Sequence, residues 1–391
     1  MQTLFYHKNA QRKVVIILIN NSYKVTNIQI SALQFFIISI LFVVGDAILY
    51  VPSLIVQGSS HTIWIAGLIG IAEAVLLSLL YALVSKQFAN KGFFPYLELT
   101  YGRWLGRVLF LLFLLYVMVD VILMIFEMGS FMVTVIMPET PLEAIIMVFL
   151  LVVIIGARLG LETLSRAAEV LFPWFCVFFF LLVCLNLPNA KFENMQPFFE
   201  GGIHAIFKGN ISLASYIFES VILIVIFPHI REKDQATKAY IKGITIGVTL
   251  LVIISLLSLL VFGLSTLKME FYPSYLLGQT LEFNFFSHVE VIMAVIWFIS
   301  LFFKVAICFF VSAQGISQLI KIQDYRIVTF PIGIFLFALS FICIPSSMYL
   351  IHFINSTWLS YSVTYGLFFP LFLLAVELIR KSRKSHRVNG R

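Results

Sequence analysis

GRVLFLLFLLYVMVDVILMIFEMGSFMVTVI, residues 106–136, decides the fold class. Its only charges are Arg107 near one end and Asp120 and Glu127 inside. A barrel strand alternates apolar and polar side chains over about 10 residues. This run is apolar on every face and exceeds the roughly 20 residues that carry a helix across a bilayer. A helix satisfies its own backbone hydrogen bonds in hydrocarbon, which an open strand cannot do.

Runs of the same kind recur on both sides of it, at 28–56, 62–85, 142–158, 169–187, 210–228, 240–263, 288–315, 327–344 and 356–379. Ten spans are therefore expected. Of the 391 residues 61% are hydrophobic, 41 are Phe, and only 12% are charged. Soluble domains carry about 25% charged residues, so no soluble core absorbs this composition. The expectation is an all-α integral membrane protein.

The net charge of +7 reads as orientation rather than nucleic-acid binding. With ten spans, 22 of the 26 Lys and Arg residues fall on the side of the N-terminus. Three, Lys191, Lys208 and Lys268, fall on the other, and Lys304 lies within a span. That bias places both termini in the cytoplasm. Residues 1–24 read as a basic cytoplasmic arm, since no small-residue cleavage site follows Val14–Ile19. Residues 25–379 read as one membrane domain in contact with lipid, and 380–391 as a basic tail.

Ten spans divide as five plus five. An odd number per half inserts the second half upside down, the arrangement of inverted-repeat transporters. Such folds break the leading helix of each half. Span 1 carries Gly45-Asp46-Ala47 and then Pro52; span 6 carries Gly209-Asn210, Ser212, Ser215 and Glu219 and closes at Pro228.

An ionisable group at mid-span costs about 2.5–3.5 kcal/mol on insertion scales, so each needs a partner, water or a task. Seven qualify: Asp46, Glu73, Asp120, Glu127, Glu219, Glu290 and Lys304. Beside Gly45, Asp46 can hold an ammonium group or a proton. Glu219 continues a polar line from Ser212 and Ser215; alternatively the serines bond back to their own helix. Tyr116 and Asp120 lie one turn apart with Glu127 two turns further, a spacing that suits a proton or polar relay, to which Glu290 is added. Lys304 stands where an ammonium can replace a bound cation, or forms an ion pair with Asp46, Glu219 or Glu290. Glu73 reads as helix packing. Cys176, Cys184, Cys308 and Cys343 lie within apolar runs and read as packing residues. With no GxGxxG, P-loop, HExxH or nucleophile elbow, and with scattered histidines, an enzyme, a metal or another cofactor is not expected.

Four stretches in order carry a family likeness: VTNIQISALQ (25–34) with Gly45 beyond it, GARLGLETLSRAAEVLFPW (156–174), YIFESVILIVIFPHI (216–230) and HVEVIMAVIWFISLFFKVAICFF (288–310). They resemble the spore germination permeases, the B subunits of nutrient germinant receptors. That family is similar to the amino acid–polyamine–organocation transporters with the LeuT-like fold. The resemblance implies ten helices in an inverted repeat with helices 1 and 6 broken. It implies an integral protein of the spore inner membrane or cell membrane, acting with an A-type membrane subunit and a C-type lipoprotein. It also implies a small nutrient such as an amino acid, bound between helices 1, 3, 6 and 8, with Gly45, Asp46, Tyr116, Phe218, Glu219 and Lys304 as candidates. A stand-alone proton-coupled amino acid transporter is the competing reading.

Overall fold

A computed structural model describes residues 29–198, 202–279 and 290–389. The expected N-terminal arm, the entry to the first span at 25–28, residues 288–289 of the expected eighth span and the last two residues of the tail lie outside the described residues.

Span 1 consists of two helices, α1 (Ala32–Val44) and α2 (Ala47–Ser59). Ser31 and Gln34 form a reciprocal cap at the start of α1. Its end is set by Gly45, whose φ of 16° and ψ of −120° leave the helical region. Span 2 is α3 (Ile63–Ser85). A short helix, α4 (Phe93–Tyr101), leads into span 3, α5 (Arg103–Phe131). Spans 4 and 5 are α6 (Leu142–Leu159) and α7 (Leu161–Asn186), joined by Gly160 alone. Its φ of 96° suits a residue without Cβ, which accounts for the glycine in the GARLGLET stretch.

Span 6 opens with α8 (Gly202–Glu219) and changes at Ser220 into a 3₁₀ helix, Ser220–His229. Span 7 is α9 (Lys233–Met269), followed by a short helix, α10 (Pro273–Gln279). Spans 8 and 9 are α11 (Glu290–Ile320) and α12 (Arg326–Cys343). The last span runs from α13 (Ser347–Phe353) through α14 (Leu359–Val363) to α15 (Phe369–Asn389). Two widened π turns, Ile354–Trp358 and Thr364–Phe368, interrupt it.

By length and apolarity, nine helical segments among the described residues can cross a membrane, with Ala32–Val44 as a shorter apolar helix. The segment Ala47–Ser85 holds the second half of span 1 and all of span 2, separated at Ser60 where φ is 52°. Counted across that turn, the spans follow the ten expected. Several helices begin earlier than the apolar runs, span 5 at Leu161 rather than 169 and span 6 at Gly202 rather than 210. Polar residues prolong a helix beyond the hydrocarbon edge, and hydropathy does not register them.

Inversion of the halves is visible in the pairing of spans 1 and 6. Ile30 N–H donates to the His229 carbonyl at 2.9 Å, and Arg231 N–H donates to the Ile30 carbonyl at 3.0 Å. Thus the start of span 1 meets the end of span 6. At the other end, a Cβ on Gly58 would stand 2.5 Å from the Gly209 nitrogen, so the end of span 1 crosses the start of span 6 in backbone contact. The two leading helices are antiparallel. Each half also places a short helix after its second span, α4 in the first and α10 in the second.

Burial separates core from lipid-facing spans. In the most apolar window, 78% of residues are buried in span 6 and 67% in spans 3 and 8. Only 22–33% are buried in spans 4, 5, 9 and 10. Exposed apolar side chains there, among them Val170, Phe180 and Ile334, suit contact with acyl chains.

Candidate functional site

The break in span 1 puts Asp46 at the start of α2 with its side chain buried. The change from α to 3₁₀ in span 6 falls immediately after Glu219. Between them lies Lys304 of span 8, 1% exposed. Its Nζ donates to Asp46 Oδ1 and to Glu219 Oε2. One ammonium therefore joins span 8 to the irregular points of both leading helices. Of the pairings open to Lys304, these two form. Glu290 lies 14 residues away on the same helix, about 21 Å along its axis at 1.5 Å per residue.

Gly45 is small for a reason. A Cβ there would stand 2.4 Å from Lys304 Cδ, so the lysine stem lies across the glycine. The Gly45 carbonyl lies 3.2 Å from Ser300 Oγ, whose single proton it shares with the Ile296 and Trp297 carbonyls of span 8. Ser300, Lys304, Cys308 and Ser312 recur every four residues and form one buried polar line along span 8. Cys308 Sγ donates to Asp120 Oδ2 at 3.6 Å, which brings Asp120 of span 3 to the same line. Cys308 is thus more than the packing residue expected.

An aromatic wall stands beside the ion cluster. Trp358 Nε1 donates to the second Glu219 oxygen, Oε1, at 2.7 Å. Its ring stacks on Tyr116 at 5.6 Å, and Tyr365 stacks on Tyr116 at 4.7 Å. Trp358 ends one widened turn of span 10 and Tyr365 lies in the other. Phe42 and Tyr216 present their rings to Lys304 at 5.5 and 5.9 Å. Among the described residues, Tyr116 and Tyr216 hydroxyls and Glu127 Oε2 are buried without a hydrogen-bond partner. Buried polar atoms of this kind mark a place for water or a ligand.

The Lys304 bridge and the Cys308 contact account for Gly45, Asp46, Glu219, Lys304 and Asp120 as one connected set, and Tyr116 borders it through Trp358. Phe218 packs against span 10; its Cβ is 2.4 Å from where a Cβ on Gly366 would stand. One helical step turns it about 100° from Glu219 towards span 10. Ser212 and Ser215 bond back to their own helix, at Lys208 O (3.4 Å) and Ser212 O (2.8 Å). Trp358 and Tyr365 were missed in the sequence because an aromatic residue gives no contrast in a span this rich in them.

Both ends of the cluster are covered. On one side lies the pairing of Ile30 with Ile230. On the other, Ser274 Oγ of α10 donates to the Ile48 carbonyl at 2.6 Å, two residues beyond Asp46. Tyr272 packs edge-on against Tyr50 and Phe131 there.

Trp358→Phe keeps the ring against Tyr116 and removes the donor to Glu219. Loss of a hydrogen bond to a carboxylate is expected to lower unfolding stability by about 1.5–3 kcal/mol, read by denaturation of the purified chain.

The architecture is similar to that of MhsT in complex with L-phenylalanine, with a TM-score of 0.64 and 12% identity, covering 90% of this chain and 98% of that one. It is also similar to Mhp1, a nucleobase-cation-symport-1 family transporter, with a TM-score of 0.60, 11% identity and coverage of 88% and 82%. Together these neighbours establish a LeuT-like transporter fold. Spore germination protein KB of Bacillus subtilis (strain 168) is 26% identical over 370 residues, 91% of this chain and 96% of that protein. Spore germination protein YndE of the same organism is 24% identical, over 75% of this chain and 82% of that protein. The family profile described as spore germination protein matches residues 29–348. That match takes in both leading helices and the charged residues Asp46, Asp120, Glu219 and Lys304, stopping short of Trp358 and Tyr365, and the chain belongs to the spore germination permease family.

Proposed function

We propose that this protein is the nutrient-sensing membrane subunit of a spore germinant receptor, with both termini in the cytoplasm and the spore inner membrane as its site. A small nutrient, an amino acid by preference, binds at mid-depth where Gly45-Asp46 and Glu219-Ser220 interrupt the leading helices. The observation that carries this reading is the Lys304 bridge. It ties an irregular point in each half to span 8, so a ligand that competes for either carboxylate changes how the halves are held. Lys304 neutralises only one of Asp46 and Glu219, and Asp120 and Glu127 add further acidic groups. The surplus suits the ammonium of an amino acid, with the aromatic wall beside it for the ligand's apolar part.

A ligand shifts such a bundle only if it binds one arrangement more tightly than the other. An A-type membrane subunit and a C-type lipoprotein then read the change. Relatives named spore germination protein B2 and A2 are in keeping with an assembly of several chains.

The test uses spores lacking this chain in a strain without related receptors, supplied with nutrients one at a time. Loss of at least one nutrient response is expected; survival of every response removes the reading. Stand-alone proton-coupled transport is the second reading, favoured by the buried carboxylates. Reconstituted protein would then concentrate labelled amino acid under a pH gradient without partners.

A fixed ammonium between the leading helices takes the place of a mobile cation. Nutrient affinity is therefore expected to be the same in sodium and choline buffers, read by calorimetry on the purified chain. A fall of roughly tenfold without sodium, 1.4 kcal/mol, would instead assign a sodium site.

A further inference from the structure

Glu73 is the eleventh residue of the 23-residue span 2 and so lies at its middle. It takes no part in the Lys304 cluster. Its carboxylate accepts from Asn210 Nδ2 of span 6 at 3.1 Å, and the same amide donates to the Ala66 carbonyl at 3.3 Å. Asn210 is buried, but Glu73 is only half-buried. On its own helix Leu68 and Leu76 are exposed, and on span 6 Phe207 and Ile211 are exposed. These side chains form a lipid-facing surface, so the crevice between spans 2 and 6 opens towards acyl chains with a carboxylate at its floor.

A carboxylate at that depth is costly unless a cation pairs with it. Among the described residues no Lys, Arg or His forms an ion pair with Glu73. We infer that the crevice docks a membrane-spanning helix of a different chain, one that carries a Lys, Arg or His at mid-depth opposite Glu73. Charge complementarity selects this occupant. Among the described residues a second copy of this chain has no such group to offer, because Lys304 is buried and held by two carboxylates. Among the described residues its other Lys, Arg and His residues lie in loops or within about three turns of a helix end. The inference stands apart from the nutrient reading and concerns a different face of the molecule.

Dicyclohexylcarbodiimide, a hydrophobic reagent for carboxyls reachable from lipid, tests it together with the variants Glu73→Leu and Glu73→Gln. The purified chain in phospholipid nanodiscs is expected to be labelled at Glu73. In native membranes, with the assembly intact, labelling is expected to be roughly tenfold slower, as when a partner buries the charge. Both variants are expected to keep chain level and thermal stability, since leucine suits a lipid-facing position and glutamine keeps the bond to Asn210. Both lose the larger species seen on native gels after mild solubilisation. Equal labelling in the two settings, absence of labelling in nanodiscs, a larger species that survives Glu73→Leu, or a crosslink from this crevice to a second copy each overturns the inference.

Discussion

Lys304→Met is expected to remove most of the folded protein, at a cost of about 3–5 kcal/mol, because it leaves two buried carboxylates without their shared cation. Methionine matches the lysine stem in length, so packing over Gly45 is kept and the loss is electrostatic. The Asp46 and Glu219 carboxylates are at most 5% exposed, which denies them water as a substitute. A triple variant, Lys304→Met with Asp46→Asn and Glu219→Gln, carries no charge at the bridge. It is expected to recover the folded chain, read as the monodisperse fraction in size-exclusion chromatography, while nutrient response stays lost. Recovery of both would show that the ions hold the fold and nothing else. A single Lys304→Met chain as stable as the parent would refute the bridge itself.

Gly45→Val tests the same bridge from the other side. Its Cβ would stand 2.4 Å from Lys304 Cδ and 3.0 Å from the Phe42 carbonyl, and the second of these cannot move without disturbing α1. Overpacking costs about 1–3 kcal/mol, to which displacement of the ammonium from its two carboxylates adds. The expected result is a folded minority of chains with the concentration of nutrient needed for germination raised at least roughly tenfold. Gly333→Ala is the comparison. Its Cβ would also come within 2.4 Å of a neighbour, but that neighbour is Ile154 Cδ1, the far end of a flexible side chain between lipid-facing spans. That variant is expected to leave nutrient sensitivity unchanged, and an equal loss in both would reduce the Gly45 effect to general destabilisation.

The charged members of the cluster were legible in the sequence because a charge inside an apolar run is an anomaly that needs no alignment to see. Asp46, Asp120, Glu219 and Lys304 stand out in this way. Which of them pair was not legible. Lys304 had three candidate partners, and the choice depended on the side of span 8 that faces spans 1 and 6. That Phe218 packs on Gly366 of span 10 was not legible either, since an apolar residue looks the same in sequence whether it faces a pocket or a neighbouring glycine. Trp358 and Tyr365 gave no signal, as two aromatics seven residues apart are common in such a span. Their joint contact with Tyr116 depends on the two widened turns of span 10, which change side-chain direction without an evident change in composition.

Periodicity, length and charge asymmetry by themselves determined that the chain crosses a membrane as ten helices, how the halves are related and where span 1 breaks. These follow from local physics, because each helix must satisfy its own backbone in hydrocarbon and each mid-span charge must be accounted for. Tertiary structure alone decided that Lys304 is shared between Asp46 and Glu219, that Trp358 completes the cluster and that Glu73 looks outwards. Such facts depend on the rotation of each helix about its axis. That rotation is set by packing among residues hundreds of positions apart, where many side chains are equally apolar and the sequence offers no contrast to read.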